Sequence, residues 1–142
     1  MSNSPRVLIV AGTFYRDIAD MLIAGAKAAL PGCEVEVVEV PGAFEIPAVI
    51  ASADHSDAPF DGYIALGCVI RGETSHYDYV CGESARGLMD LSLGGLPIGY
   101  GILTVENREQ ALVRAGEKNK GRDAAEACLA MMTLMKRFAG TV

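Results

Sequence analysis

IALGCVIRGETSHYDYV, residues 64–80, decides how this chain is read. Its first half is an apolar run of the kind that forms a strand buried on both faces, and it empties through Gly67 into Cys68, Val69 and Ile70. Arg71, Gly72, Glu73, Thr74 and Ser75 make a polar link, and His76 stands where the chain can turn into a helix. A strand end feeding a helix start is suited to an anion. N–H groups left free in the first helical turn, helped by the Thr74 and Ser75 hydroxyls, can hold a phosphate. An imidazole beside them is matched to proton transfer near neutral pH. A lone His at a helix start also serves as a hydrogen-bonded structural residue, and the segment alone leaves both roles open for His76. The other histidine, His55, lies in the polar stretch SADHSDAP at 52–59 and reads as solvated and inert.

Outward from this segment, four strand-like runs alternate with helical patterns: Arg6 to Ala11, Glu34 to Val40, Tyr63 to Val69 and Ile98 to Val105. Ile18, Leu22, Gly25 and Ala29 recur at helical spacing, as do Cys128, Met132 and Met135 in a last helix from Arg122 to Phe138. Strand and helix in alternation predict a parallel sheet with right-handed crossovers and helices on both faces, an α/β/α sandwich. The 142 residues carry no internal repeat or linker and read as a single domain, 1–142.

A net charge of -6, with 12 basic residues that are scattered apart from the EKNKGR stretch at 117–122, argues against nucleic acid or an anionic membrane as partner. That stretch reads as a solvated loop. No apolar run approaches the roughly 18 residues of a membrane span, and no charged, then apolar, leader pattern opens the chain. The expectation is a cytoplasmic protein. Cys33, Cys68, Cys81 and Cys128 form no Cys-x-x-Cys pair and sit in or beside apolar segments, so they read as free thiols or small buried hydrophobes, with neither a disulfide framework nor a metal site.

In an open parallel sheet the ligand lies beyond the carboxyl ends of the strands, where strand order reverses. The segments just past three strands are GTFY at 12–15, PGAFEIP at 41–47 and the His76 loop, and they are predicted to converge. Phe14 and Phe44 are suited to stacking on a planar heterocycle, and Glu45, next to a helix start, to accepting hydrogen bonds. Large apolar side chains are usually inside, and on that ground Phe44 is expected in the core.

Taken together, PGAFEIP at 41–47, LGCVIRGETSHYDYV at 66–80, GILTVEN at 101–107 with Glu109, Gln110 and Ala111, Arg114 to Gly116, and Asn119 to Gly121 resemble the lumazine synthase family from Val7 to Phe138. The resemblance implies a flavodoxin-like, doubly wound four-stranded sheet. It also implies the condensation of 5-amino-6-(ribitylamino)uracil with 3,4-dihydroxy-2-butanone 4-phosphate to 6,7-dimethyl-8-ribityllumazine, a transferase step of riboflavin biosynthesis without metal or organic cofactor.

Carried over position by position, Phe14 would lie against the pyrimidine, and Ala43, Phe44 and Glu45 would line the ribityl pocket. Cys68, Val69 and Ile70 would border the pyrimidine through backbone groups, and Glu73 and Thr74 would hold the phosphate by their N–H groups. His76 would be the acid/base catalyst. Tyr100 would join the pyrimidine pocket, Arg114 would pair with the phosphate, and Lys120 would stand on the ribityl side. The resemblance also implies sites between neighbouring subunits of a homo-oligomeric ring, with Tyr100 and Arg114 supplied by the neighbour.

Tyr15 and Tyr100 depart from the Asn and Phe common in the family, the stretch between Gly116 and Asn119 is short, and the arm before the first strand is missing. The last two bear on assembly more than on chemistry, and the short termini favour a small ring, a pentamer or a multiple of it, over a shell around riboflavin synthase as partner. A binding protein that holds a flavin or lumazine without reacting, or a shell-forming scaffold, is the rival reading.

Overall fold

In the computed structural model, which describes residues 4–140, the first strand, β1 (Arg6–Gly12), is a β-branched apolar run whose residues beyond Arg6 are all buried. It leads into α1 (Arg16–Ala28), which turns Ile18, Ala19, Leu22 and Ala26 to the sheet. β2 (Glu34–Val40) alternates Glu and Val, the pattern of an edge strand with charges that discourage further pairing. A single 3₁₀ turn (Ala43–Glu45) passes directly into α2 (Ile46–Asp54), whose Pro47 occupies a first-turn position that needs no N–H. β3 (Gly62–Ile70) is buried along its length up to Ile70 and runs centrally, followed by α3 (His76–Leu93), β4 (Ile98–Val105), α4 (Arg108–Ala115) and α5 (Lys120–Phe138).

The strands pair in the order β2-β1-β3-β4, all parallel, so the predicted four-stranded, doubly wound α/β/α sheet is borne out. Alternate strand residues feed two cores. Ile9, Ile64, Leu66 and Leu103 pack under α1, α4 and α5, while Leu8, Val10, Ala65 and Ile102 pack under α2 and α3. Burying one such Ile or Leu side chain contributes about 1.5–3 kcal/mol, which is why these alternating positions fix the register.

The strand runs match the prediction to within one residue at either end. The last helix starts two residues earlier than expected, at Lys120, because Asn119 takes a left-handed conformation (φ 50°) and its side chain accepts a hydrogen bond from the Arg122 N–H at 3.2 Å. Asn119 therefore closes a short link after α4, and the residues beyond it are helix rather than loop. Of the methionines expected at core spacing, Met132 packs partly against the core beside Cys128, whereas Met135 lies half-buried on the outer side near the end of α5.

One close approach sets the outer layer. A Cβ on Gly99 of β4 would collide with the carbonyl of Ala124, so the absence of a side chain there lets α5 lie directly on the edge strand. Tyr63, fully buried at the amino end of β3, donates from its hydroxyl to Asp54 (3.3 Å) and accepts from the Phe60 N–H (3.2 Å), tying down the loop before β3. His55 is exposed but not free: it ends α2, and its Nδ1 lies 2.7 Å from the Ala51 carbonyl oxygen.

Candidate active site

The chain steps from β1 out to β2 and then returns past β1 to β3, so strand order reverses between β1 and β3 and opens a crevice at their carboxyl ends. Gly12 ends β1 there, and a Cβ on it would sit 2.8 Å from the Gly42 carbonyl carbon; only a bare backbone lets the 41–45 turn come this close. The Thr13 N–H donates to the Val40 carbonyl at 3.0 Å and holds the two strand exits together. The Gly42 N–H donates to the Glu45 carboxylate at 3.0 Å, so the Glu45 side chain closes its own turn as well as facing the cleft.

The cleft so formed has a volume of about 600 Å³ and brings together Phe14, Ala43, Phe44, Glu45, Cys68, Val69, Ile70 and His76 from the predicted set. Tyr15, Pro41, Gly42, Tyr79 and Val80 complete its wall. Three large rings stand open around it: Phe14 is 76% exposed, Phe44 54% and Tyr79 68%. Phe44 is thus no core residue, contrary to the expectation from its size; the 3₁₀ turn buries Ala43 instead and leaves Phe44 facing outward. Phe14 leans edge-on against Tyr15, with ring centroids 4.9 Å apart. An exposed ring costs hydration, and one beside a floor of Ala43, Cys68, Val69 and Val80 is suited to a flat heterocycle.

Cys68 is buried in that floor, and burial pushes its thiol up to about 11. It stays protonated at neutral pH and supplies volume and backbone rather than a nucleophile. His76 is the first residue of α3 and lines the cleft, with its backbone N–H directed at the Thr74 hydroxyl (3.3 Å). Ser75 precedes it without a side-chain cap on the helix, so the positive end of an 18-residue helix faces the polar link. Glu73 and Thr74 are exposed in that link, beside the cleft rather than among its lining residues.

Three predicted residues lie elsewhere on this chain. Arg114 is on α4, in the layer across the sheet from α3, and its Nη1 donates to the Gln110 carbonyl at 3.1 Å. Tyr100 is on the outer edge strand, half exposed, where burial and the neighbouring Cys81 and Tyr77 raise its phenol. Lys120 pairs with Asp123 (3.3 Å) at the start of α5. In the Asn119 to Gly121 motif, two residues serve the fold: Asn119 caps α5, and a Cβ on Gly121 would strike the Leu22 backbone.

Tyr79 and Val80 are lining residues that sequence reasoning did not single out. The signal was present for Tyr79, which falls three residues after His76 and therefore on the same helix face. Arg71 was also passed over; its side chain is held by Glu106 and Asp78.

A second depression of about 420 Å³, lined by Asp61, Pro97, Met132 and Lys136 among others, lies at the amino ends of the strands, the end where this topology places no ligand. Among the described residues, no group of three or more His, Cys, Asp or Glu is placed to hold a metal ion, and no helix is long and apolar enough to cross a membrane.

The model of the 6,7-dimethyl-8-ribityllumazine synthase family matches residues 4–136. The chain belongs to that family. It is 58% identical over 137 residues to the 6,7-dimethyl-8-ribityllumazine synthase of Novosphingobium aromaticivorans, covering 94% of this chain and 98% of that protein. It is 54% identical to the enzyme of the same name from Bartonella tribocorum, covering 97% and 95% of the two chains. A third, from Methylorubrum extorquens, is 55% identical over 92% of this chain and 81% of its own. The expected activity is borne out: this is a transferase of riboflavin biosynthesis that condenses 5-amino-6-(ribitylamino)uracil with 3,4-dihydroxy-2-butanone 4-phosphate. Family membership carries with it two small-molecule substrates and assembly from several copies of the chain.

Proposed function

We propose that the condensation takes place in the cleft between β1 and β3, with the pyrimidine held between the Phe14 ring and the backbone of Cys68, Val69 and Ile70. The ribityl chain runs along Ala43, Phe44 and Glu45, and Lys120, which lies outside its own chain's cleft, reaches the ribityl side from a neighbouring copy. The phosphate of the four-carbon substrate rests on the N–H groups of Glu73 and Thr74 at the positive end of α3. His76 then carries protons at three points: imine formation between the ring amine and the ketone, loss of phosphate with removal of a carbon-bound proton, and ring closure with loss of water. The leaving phosphate needs a cation, and Arg114 supplies a planar, permanently charged one.

The observation that carries this reading is that His76 lies in the cleft while Arg114 and Tyr100 lie outside it. A site that needs all three is completed by a neighbouring copy, as a head-to-tail ring provides and a two-fold dimer contact need not. We take that ring to be a pentamer or a multiple of it, each copy contributing one domain, 1–142. Association with riboflavin synthase would require a closed shell of such rings, and light scattering on the eluted assembly distinguishes the two. A net charge of -6 and four free cysteines support a reducing, cytoplasmic setting.

Holding two substrates together accounts for roughly 7–11 kcal/mol in favourable cases, against about 100- to 10,000-fold from general acid–base catalysis. His76 is therefore helpful without being indispensable. His76→Ala is expected to lower kcat at neutral pH by about 10- to 1,000-fold and to leave pyrimidine binding largely intact, followed by lumazine fluorescence. An unchanged kcat from pH 6 to 8 would remove His76 from the chemistry.

A further inference from the structure

The polar link that takes the phosphate in this reading is itself scarcely held. Gly72 has open space where a side chain would be, and Glu73, Thr74 and Ser75 are exposed. Its upstream end is different. The Arg71 Nε donates to both oxygens of Glu106, at 2.9 and 3.2 Å, and Nη1 lies 3.5 Å from the Asp78 carboxylate. Its guanidinium carbon stands 4.2 Å over the centre of the Tyr77 ring, and its backbone N–H donates to the Val105 carbonyl at 2.9 Å.

These partners come from two elements besides the link itself. Ile70 and Val105 are the last paired residues of β3 and β4, and Arg71 with Glu106 continues that pairing one position further by side chains. Asp78 and Tyr77 belong to the first turn of α3. An exposed ion pair alone contributes little, but one N–H shared between both Glu106 oxygens, a second carboxylate and a stacked ring on one planar group together fix its position and direction. Both carboxylates also neutralise the cation, so it is poorly disposed to meet a phosphate itself.

We propose that Arg71 is a positioning residue for the condensation: clamped by Glu106, Asp78 and Tyr77, it sets the path of residues 72–75 so that their N–H groups face the phosphate. This rests on the reading that the link binds the phosphate. Glu106 is its working partner, because it joins the link to the end of β4.

The test uses the assembled protein with Arg71→Gln, Glu106→Gln and the double variant. The readouts are KM for each substrate and the inhibition constant of inorganic phosphate against the butanone phosphate. Both single variants should raise the butanone phosphate KM and the phosphate inhibition constant roughly 10-fold, since small displacements of a positioning group cost one to two orders of magnitude. The double variant should be no worse than either alone, and the pyrimidine KM should stay within about twofold. Phosphate binding lost in Arg71→Gln but kept or tightened in Glu106→Gln would make Arg71 a direct ligand and overturn the proposal. Unchanged constants in both would overturn it too, as would a parallel rise of both KM values with a fall in melting temperature, the mark of a merely structural role. If Arg71→Gln does not assemble, Glu106→Gln decides alone. Failure of phosphate to compete in the unsubstituted protein would instead strike the reading of the link on which the proposal rests.

Discussion

Two inactive versions of this chain should restore each other. His76 lies in the cleft of its own subunit, at the start of a helix on one face of the sheet. Arg114 lies on α4 in the opposite layer, six residues beyond the start of that helix and thus about 9 Å along its axis from the helix start. If one site draws His76 from one copy and Arg114 from the next, His76→Ala and Arg114→Ala subunits each spoil every site when assembled alone. His76→Ala costs about 10- to 1,000-fold. Arg114→Ala removes charge-assisted hydrogen bonds of about 1.5–3 kcal/mol, or roughly 10- to 150-fold.

When the two are unfolded together and reassembled at equal ratio, half the copies keep His76 and the other half keep Arg114. Random placement in a head-to-tail ring then gives about a quarter of the interfaces both intact groups. Lumazine formation should return to about a quarter of the unsubstituted rate, well above either variant reassembled by itself. Native mass spectrometry confirms that rings are mixed. Recovery no greater than the average of the two parents in mixed rings would show that both residues serve one subunit's site, and the interface reading would be refuted.

Phe14→Ala should weaken pyrimidine binding by about 0.5–1.5 kcal/mol or more in titration calorimetry while the melting temperature holds, because the ring is 76% exposed; loss of the fold with unaltered affinity would place Phe14 in a structural role. Gly99→Ala should destabilise by about 1–3 kcal/mol, since the new methyl group meets the Ala124 carbonyl and pushes α5 off β4. Each kcal/mol lowers the melting temperature of a chain of this size by about 2–4 °C, and a shift under about one degree would contradict the packing. Burial raises the Cys68 thiol to about 11 and Cys128 to about 12 from an ordinary value of 9.0, so the folded state holds these protons more tightly than the unfolded state. Their contribution is fully present below pH 9 and is lost as the pH climbs through 11 and 12, giving an alkaline decline in stability that Cys68→Ala with Cys128→Ala should flatten; an unchanged slope in that variant would assign the decline to other groups.

The architecture and most of the cleft are legible in residue order alone. Arg6 to Ala11 stands out as a continuous apolar run of the kind buried on both faces and Glu34 to Val40 as a Glu/Val alternation, and the parallel sheet is implied by the helices that must cover it. Phe14, Ala43, Glu45, Cys68 and His76 could be grouped because a parallel sheet gathers the segments beyond its strands at one end. Features that depend on side chains meeting across the chain were settled by packing. Phe44 faces the cleft because a 3₁₀ turn buries its small neighbour, a choice hydrophobicity ranks the other way. Arg71 finds Glu106 only because β3 pairs with β4 in a register that ends at Ile70 and Val105, 35 residues apart in the chain. Arg114 stands apart from its own cleft because α4, which follows the last strand, packs on the face opposite α3 and carries Arg114 toward its far end. Motifs record which groups the chemistry needs; only the packed layers determine which of them one chain can bring together.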